Sequence, residues 1–262
     1  MCGICGFLGS GDAAALAAMN ARLARRGPDG EGVYADPAAG VHLAHRRLAV
    51  IDLEGGRQPM ATSDGDLVVT YNGEIYNHEA LRSRLEARGH RFVTDHSDTE
   101  VLLHGWREWG EELPEHLSGM WAFALYDKRR GTLFCCRDRF GKKPFFYAAR
   151  PGFFAFASEL SALVAHPALA GATVSRTALR KYFAYGFIPA PHALYEGVHK
   201  LPGGGNLLLD VASGELRARR WWTFCLAPTD RVPAKAETVW GERLRELLDA
   251  AVARRLISDV PL

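Results

Sequence analysis

Four aromatic-rich apolar segments follow one another between Trp121 and Ala157, and they constrain the fold more than anything else in the chain. They run Trp121 to Tyr126, Thr132 to Cys136, Pro144 to Ala148 and Phe153 to Ala157. Their spacing of roughly ten residues, with turn residues Asp127 to Gly131 and Pro151-Gly152 between them, predicts an antiparallel meander. Further strands are expected at Ile4 to Leu8, Val41 to Ile51 and Leu67 to Tyr71. Leu207 to Leu209 and Glu215 to Trp222 read as a hairpin. Helices are expected at Ala13 to Arg26, Leu81 to Arg88, Thr99 to Trp109, Ser158 to Val164, Arg176 to Tyr185 and Ala236 to Leu256. Ser97-Asp98 offers cap chemistry to the third of these, and Gly27-Pro28-Asp29-Gly30 stops the first in a turn. Phe187 to Gly205, rich in Pro and Gly, reads as a connection. Strand runs with helices grouped around them define an α+β layered domain.

The formal net charge of +2 and the absence of a basic tail give no support to a nucleic-acid partner. No stretch of ~18 apolar residues supports a membrane span, and no charged n-region precedes an apolar run as in a signal peptide. Five cysteines at irregular spacing, two of them adjacent (Cys135 and Cys136), do not form a disulfide framework. A reducing cytoplasm is the natural compartment.

The chain opens Met1-Cys2-Gly3-Ile4-Cys5-Gly6. A small residue after Met1 favours removal of the methionine, which would leave Cys2 with both a thiol and a free α-amine. With pKa values of ~8.5 for the thiol and ~7.7–8.0 for the amine, the amine can act as base to its own thiol. Cys2 and Cys5 also make a C-x-x-C, the spacing of redox and zinc sites. No second C-x-x-C or nearby His pair supplies four zinc ligands, and Cys5 falls within an apolar strand. Asn72-Gly73, taken alone, reads as a hairpin turn. Gly203 to Gly205 lacks the Lys-Ser/Thr of a phosphate loop. His45, His78 and His104 read as structural, and Arg46 is given no role.

Several ordered segments resemble one family. They are Cys2-Gly3-Ile4, Arg26-Gly27-Pro28-Asp29-Gly30, Tyr71-Asn72-Gly73-Glu74-Ile75-Tyr76-Asn77-His78 and Ser97-Asp98-Thr99-Glu100. Gly119 to Ala124, Arg137-Asp138-Arg139-Phe140-Gly141 and Phe156 to Leu160 extend the match. The chain resembles the class II glutamine amidotransferases, which are N-terminal-nucleophile hydrolases, and within them glutamine-hydrolysing asparagine synthase. The amidotransferases of purine and glucosamine-phosphate synthesis are less similar at the Arg26 and Tyr71 segments. The resemblance implies a four-layer αββα glutaminase domain over residues 2–210. It implies a connecting segment over 211–235, and the first helix of a synthetase domain over 236–262.

The resemblance also implies roles. Cys2 is the nucleophile that forms a γ-glutamyl thioester. Asn72 (side-chain amide) and Gly73 (backbone N–H) are the oxyanion hole. Arg47 grips the α-carboxylate, and Glu74 and Asp98 hold the α-ammonium of glutamine. No cofactor is expected for this step. ATP, Mg and aspartate belong to a synthetase domain whose Ser-Gly-Gly-x-Asp-Ser loop is absent from these residues. Leu256 to Leu262 resembles the stretch just before that loop, so the chain is expected to break off at its threshold. The apolar face of the Ala236 to Leu256 helix is then expected to lack its partner, and a homodimer is one way to cover such a face. Lys142 and Lys143 before Pro144 depart from the family's more apolar pattern, in the region that faces the ammonia route. Three readings stay open: the glutaminase of an asparagine synthase, the glutaminase of a relative amidating another carboxylate (a peptide or polysaccharide precursor), and a non-catalytic module.

Overall fold

A computed structural model describes residues 1–228, 232–233 and 235–261 of the protein. Expectations for the 211–235 connection and for the terminal segment therefore fall in part, at residues 229–231, 234 and 262, outside the described residues.

The chain begins β1 (Gly3–Gly9), α1 (Ala13–Ala21), β2 (Gly30–Asp36), β3 (Val41–Arg47), β4 (Met60–Ala61) and β5 (Leu67–Ile75). It continues through α2 (His78–Glu86), α3 (Glu100–Trp109), α4 (Leu113–His116), β6 (Gly119–Asp127) and β7 (Thr132–Arg137). Then come β8 (Phe146–Arg150), β9 (Phe153–Ala157), α5 (Leu160–Leu163), α6 (Arg176–Tyr185), β10 (Val198–Lys200), β11 (Gly205–Asp210), β12 (Leu216–Arg220) and α7 (Ala236–Ala253).

The strands form two antiparallel six-stranded sheets, ordered β10-β8-β9-β1-β3-β2 and β12-β11-β7-β6-β5-β4. Three buried clusters separate four layers. Ile4, Leu43, Ala122, Ala124, Leu133 and Phe156 fill the space between the sheets. Phe7, Leu16, Met19, Ala155 and Leu163 join the first sheet to α1 and α5. Tyr71, Val101, Trp106, Trp121, Phe123 and Phe134 join the second sheet to α2, α3 and α4. The architecture is the αββα sandwich. Alternation within single strands explains it: in β6, Ala122 and Ala124 face the other sheet while Trp121, Phe123 and Leu125 face the helices. A strand buried on both faces reads as an unbroken apolar run, which is how β1, β6, β7 and β9 look in the sequence.

The predicted meander is corrected. β6 pairs with β7, and β8 with β9, but β7 and β8 lie in different sheets. The chain crosses between them at Asp138–Phe145. Asp138 organises the crossing, with Oδ1 accepting the N–H groups of Phe140 (3.1 Å) and Lys142 (3.0 Å). Its Oδ2 accepts those of Trp121 (3.2 Å) and Lys143 (3.1 Å). The Arg137 guanidinium donates to the carbonyls of Lys143 and Gly141, each at 2.6 Å, and to that of Leu201. A buried ion-bearing loop held by this many charge-assisted bonds is a fixed joint rather than a hairpin turn.

Other boundaries shift. β3 leaves the sheet after Arg47, and α1 gives way to turns after Ala21. β5 runs on to Ile75, so Asn72-Gly73 is strand interior paired with Ala122 and Trp121, not a turn. β2, an edge strand with alternate residues exposed, escaped notice because Gly30, Gly32 and Pro37 give it the look of a loop. α7 ends at Ala253, and Leu244, Leu247, Leu248 and Val252 on it are each more than half exposed. No described helix is long and apolar enough to cross a membrane.

Candidate active site

The ends of the central strands of both sheets converge on one cavity of about 260 Å³. Cys2 enters from the start of β1, Arg47 from the end of β3, Asn72, Gly73 and Glu74 from β5, and Asp98 from the turn before α3. All six residues named from the sequence line it, together with Met1, Gln58, Tyr71, Met120 and Lys143. A larger cavity at the opposite end of the sandwich, near Gly9, Pro151 and Gly214, has no cysteine, histidine or carboxylate among its described lining residues, where Arg150 is the one charged group.

Cys2 is held at two points. Its carbonyl accepts from Arg26 Nε at 2.8 Å, and Arg26 in turn pairs with Glu159 at 3.3 Å. The thiol sits against the Leu48 peptide, 3.4 Å from its N and 3.5 Å from its O. Burial pushes the Cys2 thiol above its ordinary pKa, with the Leu48 N–H opposing the shift. Cys2 is thus a thiol, and attack requires a base. The N-terminal ammonium beside it, here on Met1, is pushed down chiefly by burial and further by Arg26 and Lys143, which improves an amine as a base near neutrality. Cys5 lies on the other face of β1, fully buried beneath α1 and α5. Cys2, just before β1, opens into the cavity while Cys5 is shut in the core, so the two do not form a C-x-x-C site.

Asn72 is 1 % exposed, and its Nδ2 has no partner among the described residues. A buried amide donor left unpaired costs ~1–3 kcal/mol, and because Asn72 lines the cavity, an acceptor on a ligand bound there would offset that cost. Gly73 is required by packing. A Cβ there would lie 2.3 Å from Met120 O and 2.8 Å from Trp121 Cα.

Arg47 is wrapped by the loop that follows it. Nη1 donates to Leu53 O at 2.6 Å, and Nη2 to Asp52 O at 2.6 Å and Ile51 O at 3.2 Å. Nε has no protein acceptor among the described residues and remains available to a ligand carboxylate. Gly56 makes room, since a Cβ there would meet Arg47 Nη2 at 2.3 Å. Asp52 adopts φ 49°, a left-handed conformation costing ~1–2 kcal/mol outside glycine. Its side chain accepts from Gly55 N–H and its carbonyl from Gly56 N–H, both at 2.8 Å. Arg46, on the opposite face of β3, pairs with Glu31 at 2.5 Å and donates to Asn20 O.

Asp98 does not cap α3, whose N-cap Thr99 makes no side-chain cap bond. Asp98 Oδ2 instead accepts from Tyr71 Oη at 2.9 Å and Ile75 N at 3.0 Å. Burial raises the pKa of Asp98 and, with the charge of Asp98 added, that of Glu74. Lys143 is driven down by burial while Cys2 and Glu74 hold it up. Two carboxylates whose charges repel, in one cavity with an arginine, suit a zwitterionic ligand, whose ammonium relieves their repulsion.

Sequence reasoning passed over the supporting shell. Arg26 and Glu159 belong to recognised motifs, but only the fold shows that Arg26, paired with Glu159, holds the Cys2 carbonyl. Gln58, which donates to Thr99 Oγ1 and accepts from Tyr71 N, carried no signal at all. His45 and His78 are structural: burial lowers His45 to about 4, and each ring nitrogen in contact meets a β5 carbonyl.

The sequence profile of the glutamine amidotransferase domain matches residues 1–222, and the chain belongs to that family. Glutamine-hydrolysing asparagine synthetase 3 of Bacillus subtilis is 42% identical over 247 residues, covering 93% of this chain and 39% of the relative. A putative glutamine-hydrolysing asparagine synthetase of Methanocaldococcus jannaschii is 34% identical over 283 residues, covering 100% of this chain and 53% of the relative. The chain thus spans between about two fifths and about half the length of these relatives. Among solved structures, the glutamine phosphoribosylpyrophosphate amidotransferase of Bacillus subtilis superposes with a TM-score of 0.59 at 19% identity, over 85% of this chain and 50% of that one. An allosteric regulatory enzyme of purine biosynthesis gives 0.60 at 20%, over 85% and 49%. At that identity the likeness is one of fold.

Proposed function

We propose that this domain hydrolyses glutamine to glutamate and ammonia through a thioester on Cys2, with Met1 removed. One observation supports the reading: Cys2, Arg47, the buried Asn72 amide, unpaired among the described residues, and the carboxylates of Glu74 and Asp98 line a single cavity. The Cys2 amine takes the thiol proton as Sγ bonds to the side-chain carbonyl carbon. Asn72 Nδ2 and the Gly73 N–H receive the oxyanion. The amine returns its proton to the departing nitrogen as the C–N bond breaks, releasing ammonia. Water, deprotonated by the same amine, then cleaves the thioester. Arg47 binds the α-carboxylate, and Glu74 and Asp98 bind the α-ammonium. No step needs a cofactor.

The relatives' names support asparagine as the eventual product, formed by a synthetase domain that uses ATP, Mg and aspartate. In that arrangement 2–210 is the glutaminase, 211–235 the connection, and 236–262 the start of the synthetase domain, within a cytoplasmic enzyme. Mass mapping of the N-terminal peptide after treatment with an electrophilic glutamine analogue tests the glutaminase step. The expected result is an adduct on a Met-free Cys2, blocked by excess glutamine. An unmodified Cys2, or a retained Met1, overturns it.

The carboxylate pair sets a pH dependence. A raised pKa means that Glu74 loses its charge at a higher pH than an ordinary glutamate as the solution is acidified. Below that point the grip on the ammonium weakens. The KM for glutamine is expected to rise severalfold on acidification toward pH 5, and Glu74→Gln should show a high KM that is flatter over the same range. A wild-type KM constant from pH 7 to 5 would count against this role.

A further inference from the structure

We propose that Asp259 is a positioning residue for the glutamine pocket, fixing from the far end of the sequence the loop that holds Arg47. This rests on the reading of Arg47 as the grip on the α-carboxylate.

Asp259 is bonded to both sides of Ile51. Its N–H donates to Val50 O at 2.9 Å, and its Oδ2 accepts the Asp52 N–H at 2.7 Å. The same Oδ2 lies 2.7 Å from His96 Nε2, and His96 Nδ1 lies 2.9 Å from Asp95 Oδ2. Nearby, the Arg255 guanidinium stacks over the Tyr76 ring at 4.8 Å. The terminal segment is therefore docked on the rim of the pocket, although α7 before it buries no residue.

Asp52 is the link. Its N–H is held by Asp259 and its carbonyl by Arg47 Nη2 and Gly56 N–H. A left-handed aspartate persists only where its surroundings hold it there. Without the Asp259 carboxylate, Asp52 loses the bond to its N–H and keeps only those from Gly55, Gly56 and Arg47, so it turns back to negative φ more readily. That motion carries its carbonyl away from Arg47 and lets the guanidinium swing. The rest of the machinery stays in place. Cys2 is fixed by Arg26 and the Leu48 peptide, and Asn72 and Gly73 by their ladder with β6. Loss of Asp259 should therefore weaken capture of the α-carboxylate while sparing the chemistry at sulfur.

The test follows modification of Cys2 in the full chain by two reagents. One is a chloroketone analogue of glutamine bearing the α-amino and α-carboxylate groups. The other is chloroacetamide, which has neither. With Asp259→Ala, the half-saturating concentration of the analogue should rise roughly three- to thirtyfold. The chloroacetamide rate should not change. Asp259→Asn, whose amide oxygen still accepts the Asp52 N–H, should behave nearly as wild type. Unchanged half-saturation in Asp259→Ala overturns the proposal. So does an equal loss with both reagents, which signals general disruption. An Asp259→Asn variant as weak as the alanine overturns it too, because the charge facing His96 would then carry the effect. Arg47→Ala in parallel separates the two readings: unchanged analogue binding there defeats the carboxylate role of Arg47 itself.

Discussion

Cys2→Ala is expected to abolish ammonia release from glutamine while leaving glutamine binding measurable by calorimetry. Removal of a catalytic nucleophile costs on the order of 10⁶ in kcat where the comparison has been made. The binding groups Arg47, Glu74 and Asp98 reach the cavity from β3, β5 and the turn before α3, so none depends on the sulfur. Cys5→Ala is the matched control. Cys5 shares the C-x-x-C but lies in the core under α1, so its loss should lower stability modestly and leave turnover intact. Turnover persisting in Cys2→Ala would remove the thioester from the mechanism. Equal loss in both variants would point instead to a structural role for the pair.

Asn72→Ala should lower kcat by ~10²–10³ and change KM for glutamine only a few-fold. Asn72 Nδ2 is buried and unpaired before any reaction occurs. In the oxyanion role proposed for it, its bond strengthens where charge develops on the carbonyl oxygen, which favours the transition state over the bound substrate. Truncation also removes a buried unsatisfied donor, so the variant should be no less stable to heat than the parent apart from the small void it leaves. A rise in KM comparable to the fall in kcat would mean that Asn72 binds glutamine rather than the oxyanion. The two variants together separate attack from stabilisation.

The layers of the fold were readable because their cause is local. Doubly buried strands such as β6 and β9 announce themselves as apolar runs, and α3 shows its amphipathic face. The partition of those strands between sheets was not readable. It depends on the Asp138 carboxylate gathering four backbone N–H groups at the crossing, and nothing in the spacing of β7 and β8 distinguishes that joint from a turn. The cavity-lining residues were found through motif resemblance, not periodicity. Asn72-Gly73 in isolation reads as a turn, yet it is strand interior because Gly73 lets β6 pass within contact of its α-carbon. Asp98 looked like a helix cap because caps and ligands use the same side chain, and only the Tyr71 and Ile75 bonds decide between them. The Asp259 contact joins positions 207 residues apart and has no sequence signature.

The order of strands in the first sheet has a consequence in time. β1 leaves the ribosome before the other described strands, yet it lies between β3 and β9, and β9 follows it by about 150 residues. At ordinary rates of synthesis β9 emerges roughly 8–30 s after β1. Throughout that interval the amino terminus is flanked on one side at most, and a trimming enzyme can reach Met1 unhindered. Once β9 closes against β1, Ser158 bonds both the N–H and the carbonyl of Ile4, and Glu159 pairs with the Arg26 that grips Cys2. The removal of Met1 proposed above can therefore precede the closure that completes the cavity around Cys2.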